Sequence, residues 1–99
     1  METHEENLFS VFLPEIAEHI DSPQTKLPFT QTITITVYSR YFDALQRELI
    51  NVCTWNEKNL SGARWYIESK GLLIGEFKAA VEFNFSTEED AMAFKLRWA

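Results

Sequence analysis

The clearest pattern along the chain is the strict alternation of apolar and polar residues between Thr32 and Tyr38. Ile33, Ile35 and Val37 fall on one face of this segment, and the threonines with Tyr38 fall on the other. Because the side chains of a β-strand point alternately to its two faces, a period of two predicts a strand with one buried face. The β-branched residues throughout the segment favour the same assignment.

The period then changes to that of a helix. Over residues 41–53 the apolar positions recur three or four residues apart, at Phe42, Leu45, Leu49 and Val52. This spacing places them on one face of an amphipathic helix. Residues 56–62 are polar and predict a turn after the helix.

Two more strands and a second helix follow. Residues 63–69 and 77–85 alternate again, and residues 71–75 between them predict a hairpin connection that carries some apolar surface. The apolar face of the later strand comprises Phe77, Ala79, Val81, Phe83 and Phe85. The sequence Ser86-Thr87-Glu88-Glu89 is typical of a helix N-terminus, and the helix it begins carries Ala91, Phe94 and Trp98 on one face.

Residues 29–99 therefore have the order strand, helix, strand, strand, helix. A crossover between the first two strands, with the third inserted antiparallel between them, gives an α+β fold with a split βαβ, ferredoxin-like sheet and both helices on one side. A complete sheet of this kind has a fourth strand after the last helix, and the chain ends at Ala99 without one. The first strand is thus expected to need a cover for its free edge.

Residues 1–28 are predicted to form an N-terminal arm and linker, with Pro23 and Pro28 in the linker. Three arrangements for the arm remain open. Residues 8–13 can form an edge strand followed by a short helix from Pro14, or a single helical stripe can run across that proline. Alternatively, the free edge pairs with a second chain, and a homodimer is the oligomeric state that we expect.

Charge is distributed unevenly along the chain. The protein has 15 acidic and 9 basic residues and a net charge of −6, and residues 1–21 hold six acids and no Lys or Arg. The remainder of the chain is therefore neutral. Such an acidic segment is typical of a solubilising terminus, or of a surface that steers the protein toward a basic partner.

Residues that carry catalysis are sparse. The chain has three glycines and no glycine-rich phosphate loop, and its two histidines, His4 and His19, both lie in the arm. Cys53 continues an apolar helix face, which is typical of a small buried residue rather than a nucleophile. The sequence therefore predicts a protein that is not an enzyme and has no cofactor and no metal site.

The sequence also indicates a cellular compartment. The N-terminus has neither a basic start nor the apolar core of a secretory signal, and no apolar run approaches the ~20 residues that span a bilayer. A single cysteine permits no internal disulfide, although small secreted proteins usually carry several. We expect a cytoplasmic protein without a membrane partner.

Sheets of the predicted kind also bind RNA or single-stranded DNA by stacking bases on exposed aromatic residues. Tyr38 and Tyr66 are expected on the open face of the sheet. That face also carries Glu68 and Glu82, and residues 22–99 have no surplus of positive charge to neutralise phosphates. A nucleic-acid partner is therefore the alternative and a protein partner the main prediction.

A protein partner suits the aromatic content, because the 8 Phe, 3 Trp and 3 Tyr exceed the predicted core positions. The predicted partner-binding residues combine the acidic arm with the unplaced aromatic residues. They are Glu5, Glu6, Phe9, Phe12, Glu15, Glu18, Tyr38 and Tyr66.

Residues 81–98 add a resemblance. A strand, the sequence Glu-Asp-Ala, and then Phe-Lys-Leu-Arg-Trp at the last helix resemble the ends of small bacteriophage-encoded accessory proteins of unassigned function. The resemblance implies a small protein that binds and inhibits a host factor, including components of antiviral defence, in the host cytoplasm. It brings no catalytic residues, and a structural component of the virion is a further alternative.

Overall fold

The fold is α+β, with a mixed five-stranded sheet and two α-helices. It is seen in a computed structural model that describes residues 13–21, 23–36, 42–75 and 77–99. The strands are β1 (Ile20–Asp21), β2 (Phe29–Thr36), β3 (Trp65–Glu68), β4 (Leu73–Ile74) and β5 (Lys78–Phe85). The helices are α1 (Phe42–Asn59) and α2 (Glu88–Trp98), with 3-10 helices η1 (Pro14–His19) and η2 (Ser69–Gly71).

β5 lies in the middle of the sheet, as the length of its alternation predicts. β2 pairs antiparallel with it over eight residues, from Phe29 opposite Phe85 to Thr36 opposite Lys78. On its other side β5 pairs antiparallel with β3 and, further along, with β4. The two predicted outer strands are therefore parallel to each other, with the last strand between them.

β2 begins at Phe29, three residues before the predicted start of the strand. The early start is stabilised across the sheet, because the Thr30 hydroxyl donates a hydrogen bond to Oδ1 of Asn84 at 2.6 Å. Tyr38, at the predicted end of the strand, lies outside the described residues.

Residues 20–21 of the N-terminal segment join the sheet as β1, which pairs parallel with β3, with Ile20 opposite Ile67. η1 packs against α1 and β3, which brings the chain to this edge of the sheet. The predicted edge strand over residues 8–13 lies outside the described residues except for Leu13. An ion pair of 3.1 Å between Arg64 and Asp21 holds the end of β1 there.

α1 is longer than predicted and ends at Asn59 instead of near Cys53, so the turn predicted from residue 56 was wrong. The buried stripe of the helix continues through Asn56, whose side chain is 1% exposed. A polar residue at a core position conceals the helical period in the sequence. Gly62, with φ of +93°, takes up a backbone conformation that favours glycine just beyond the helix.

α2 begins as predicted. The Thr87 side chain caps it by accepting a hydrogen bond from the backbone N–H of Asp90 at 3.2 Å. The buried carboxylate of Asp90 in turn accepts from the backbone N–H and the hydroxyl of Ser61, at 3.0 and 2.7 Å. The loop after α1 is thereby fixed to the start of α2.

The core lies on one face of the sheet, where both helices contribute to a single apolar cluster. Phe94 of α2 lies over the centre of this face, with ring centroids 4.7 Å from Phe83 and 5.0 Å from Phe85. Phe77, predicted on the same face, is 57% exposed. It precedes the first paired residue of β5, and the sheet therefore does not hold it against the core.

Candidate functional site

The candidate site lies between η1 and α1. Pro14 occupies the first turn of η1, where its missing N–H removes no helical hydrogen bond. Leu13 and Ile16 are buried in the core cluster, and the backbone N–H of Glu15 donates to Oε1 of Gln46 at 2.7 Å. These contacts hold η1 along one side of α1.

Two adjoining cavities of about 280 and 160 Å³ lie along this contact and share Glu15 and Ile50 in their walls. We call them together the acidic groove. Its charged walls carry four carboxylates and one guanidinium, and its floor is apolar. Its lining includes Glu15, Glu18, Asp43, Glu57, Arg47, Ile16, Ile50 and Cys53.

His19 closes one end of the acidic groove. Its ring stacks on Trp65 of β3, with centroids 4.8 Å apart and planes inclined by 15°. Its Nε2 lies 3.3 Å from a carboxylate oxygen of Glu18 and 3.6 Å from one of Glu57. One imidazole thus contacts η1, α1 and β3, and it orients two of the four carboxylates.

Cys53 forms part of the floor. Burial, with a smaller contribution from the carboxylates of Glu57 and Glu18, raises the pKa of its thiol from 9.0 to about 12. The group is therefore a neutral thiol at physiological pH, and a neutral thiol is a poor nucleophile. The structure agrees with the interpretation of Cys53 as a small buried residue.

The groove has the chemistry of a surface that binds cationic side chains. Carboxylates form charge-assisted hydrogen bonds with Lys and Arg, whose alkyl stems pack on apolar surface. Within the described ranges, no three His, Cys, Asp or Glu side chains are grouped so that they could hold a metal ion. No helix in the part of the chain that the structure describes is long and apolar enough to cross a bilayer.

The structure brings together two of the predicted partner-binding residues, Glu15 and Glu18, which are exposed on η1. Tyr66 lies on the sheet face where it was expected, opposite the core, but it is only 2% exposed. The expectation that it would be accessible was wrong. The others, Glu5, Glu6, Phe9, Phe12 and Tyr38, lie outside the described residues.

Residues 23–28 explain the burial of Tyr66, because they cross this face of the sheet. The backbone N–H of Leu27 donates to the Tyr66 hydroxyl at 3.2 Å, and Nζ of Lys26 lies 2.6 Å from a Glu82 carboxylate oxygen. The Glu82 carboxylate also raises the pKa of Lys26. η2 approaches from the other end, and a Cβ on Gly71 would lie 2.6 Å from Cβ of Glu82. Little of the predicted stacking surface is left open.

Sequence reasoning missed the part of the groove that α1 supplies. Asp43, Gln46, Ile50 and Glu57 recur three, four and seven residues apart, and this spacing is a helical stripe next to the core stripe. The pattern was visible in the sequence. Only the folded structure shows that η1 lies beside it.

A second exposed surface lies on the hairpin formed by β4 and β5. Leu73, Ile74 and Phe77 are large apolar residues that are exposed there, with Leu73 at 66%. The prediction that the hairpin connection carries apolar surface is confirmed. Clusters of this kind are typical of protein interaction sites.

Comparison of the chain with protein-family models, with curated proteins and with solved structures finds no match. Function is therefore argued from the geometry and charge of the acidic groove and from the surfaces around it.

Proposed function

We propose that this protein is a non-enzymatic protein-binding module whose acidic groove takes a basic segment of its partner. The observation that supports this most strongly is the lining of the groove. Glu15, Glu18, Asp43 and Glu57 line the groove together with apolar residues of its floor. Arg47 is the one guanidinium among the described lining residues, and it shares its cavity with Glu15 and Asp43. A segment with Lys or Arg side chains complements both the charge and the floor.

The typical energies of ion pairs indicate what the acidic groove contributes to binding. Each exposed ion pair is worth about 0.2–1 kcal/mol, so the four carboxylates orient a partner and speed its association more than they hold it. Ile50 and the atoms around it provide an apolar contact from which water is excluded when the partner binds. The charged groups alone do not provide such a contact. The groove is small, and the exposed apolar hairpin residues supply a second surface for the same partner.

Other parts of the proposal have narrower support. The ferredoxin-like arrangement is supported by β5 lying antiparallel between β2 and β3. A host factor as the partner, and inhibition as the outcome, are supported by the resemblance of residues 81–98 to phage accessory proteins. Binding of RNA or single-stranded DNA is less favoured, because Tyr66 is covered and Glu82 and Glu68 share its face.

The proposal is tested with the full chain and a fluorescent short peptide of alternating Arg and Leu. The double variant Glu18→Gln, Glu57→Gln removes two groove charges and is expected to weaken peptide binding about fivefold. The matched control is Glu88→Gln, Glu89→Gln, which removes the same charge at the exposed start of α2. Its affinity is expected to stay within about twofold of the parent protein.

Two results contradict the proposal. The first is an equal loss of affinity in both double variants, which indicates attraction by net charge and no role for the groove. The second is tight binding of a single-stranded RNA oligonucleotide that neither double variant changes, with no binding of the peptide. That result favours the nucleic-acid alternative.

A further inference from the structure

β2 forms an edge of the sheet that lacks the usual protection. Within residues 13–36, 42–75 and 77–99, excepting residue 22, β2 pairs only with β5. The strand runs for eight residues without a charged residue, a proline or a glycine. Natural edge strands are usually short, charged, bulged or interrupted by proline, because an open edge is a template for another strand.

The sequence of this edge is palindromic. Residues 32–36 read Thr-Ile-Thr-Ile-Thr in both directions, with Thr34 at the centre. When two copies of a strand pair antiparallel about a two-fold axis through this residue, Thr32 meets Thr36 and Ile33 meets Ile35 of the other copy. Thr–Thr pairs and pairs of β-branched residues are favourable across antiparallel strands.

We propose that β2 pairs with β2 of a second copy of this chain, with Thr34 on the two-fold axis. The two sheets then form one continuous sheet across the interface. This inference is independent of the function proposed above, because the acidic groove lies between η1 and α1 while β2 is the opposite edge of the sheet.

Charge favours this pairing over other contacts between copies. The surplus charge of −6 lies in residues 1–21, which repel the same segment of a second copy, whereas β2 is uncharged. In β5, Lys78 lies beside Thr36 and Glu82 beside Thr32. The proposed register therefore places Lys78 of one copy in the same row as Glu82 of the other, on the same face. The two side chains lie three strand spacings apart, about 14 Å, and Glu82 already pairs with Lys26, so these charges do not oppose the pairing of the strands.

α2 packs on β2 and β5 and is the helix nearest this edge. A two-fold axis perpendicular to the sheet places α2 of both copies on the same side of the continuous sheet. The backbone hydrogen bonds between the two β2 strands are the contact that the proposal requires.

The first test is the mass of the full chain in solution. Light scattering at tens to hundreds of micromolar is expected to give a mass of twice 11.6 kDa. Thr34→Lys places two lysine side chains directly opposite each other, with their Cβ atoms about 5 Å apart at the axis, and is expected to weaken dimerisation about tenfold or more. The matched control, Thr54→Lys on the exposed side of α1, is expected to remain dimeric. Circular dichroism confirms that both variants are folded.

The second test concerns the register. Thr34→Cys brings two thiols together only if Thr34 lies on the axis, and cross-strand Cβ atoms ~5 Å apart are close to the separation that a disulfide needs. Mild oxidation is expected to give a covalent dimer with Thr34→Cys and none with the control Asn51→Cys. The native Cys53 gives little background, because burial raises the pKa of its thiol to about 12.

Three results overturn the inference. A parent protein that remains monomeric at hundreds of micromolar shows that the edge does not pair with a second copy, including the case in which residues 8–13 cover it. Equal dimerisation of Thr34→Lys and Thr54→Lys places the interface elsewhere. Equal crosslinking of the two cysteine variants shows that the register is wrong.

Discussion

Asp90 makes both a local hydrogen bond within its helix N-terminus and hydrogen bonds to a residue distant in the chain. Its backbone N–H bonds to the Thr87 side chain at the start of α2, and its carboxylate accepts two hydrogen bonds from Ser61. Only the first contact is local, and the cap was predictable from the sequence around Thr87. The partner Ser61 is 29 residues away in the chain, and no local pattern indicates it.

Asp90→Ala is expected to lower the free energy of unfolding by about 1.5–3 kcal/mol, because it removes the two hydrogen bonds that Ser61 donates to a charged acceptor. Urea unfolding measures the change. The control is Glu89→Ala at the exposed neighbouring position, expected to change stability by less than about 0.5 kcal/mol. Similar losses for both variants would mean that the Ser61 contact does not stabilise the fold.

Among the elements, β2 and β5 were the most predictable, because a period of two runs along β5 and along β2 from Thr32 onward. Gln31 interrupts the apolar side of β2, and the start of the strand was therefore predicted too late. α1 was predicted too short, because Asn56 interrupts its apolar stripe. β1 could not be predicted, since two residues carry no period and its partner β3 is distant in the chain. The η1 side of the groove was indicated by charge at Glu15 and Glu18, and the α1 side was not.

Asn56 lies in the core stripe of α1, and neither polar atom of its side chain has a hydrogen-bond partner among the described residues. Asn56→Leu is expected to raise the free energy of unfolding by about 1–2 kcal/mol, because it removes buried polar groups and adds apolar contact at similar volume. Thermal unfolding measures the change against Asn51→Leu, an exposed position on the same helix. A loss of stability in Asn56→Leu alone would contradict this account and indicate that the amide has a bonding partner.

At the scale of the whole molecule, stability depends on pH through Cys53. Burial raises the pKa of its thiol in the folded protein from 9.0 to about 12. Between these values the unfolded chain has lost a proton that the folded chain retains. The stabilisation that this raised pKa contributes is fully present below about pH 9 and is lost as pH rises toward about 12. Over this range the free energy of unfolding falls by no more than about 1.4 kcal/mol per pH unit.

Cys53→Val keeps an apolar side chain of similar size and removes this titration. The parent protein is expected to lose stability more steeply than Cys53→Val between about pH 9 and about pH 11 in urea unfolding. The native thiol is also expected to react slowly with a disulfide reagent at neutral pH and rapidly in urea. Parallel pH profiles with fast labelling of the folded protein would show that Cys53 is accessible.

The described residues form an acidic groove at one side of the sheet, a covered region around Tyr66 on the second sheet face, and an uncharged edge at β2. The sequence indicated the acidic character, because the surplus charge lies in residues 1–21. It could not indicate that the region around Tyr66 is covered, because residues 23–28 have the composition of a linker and their contacts with Tyr66 and Glu82 are distant in the chain.

The most direct test of the proposed function is to locate peptide binding on the protein by nuclear magnetic resonance. The amide spectrum of the full chain is recorded during titration with the short Arg-Leu peptide. The account predicts that the largest shifts occur at Glu15, Glu18, Ile50 and Thr54, which line the groove. Shifts confined to the sheet face around Thr30 and Thr32, or scattered over all acidic residues, would contradict it.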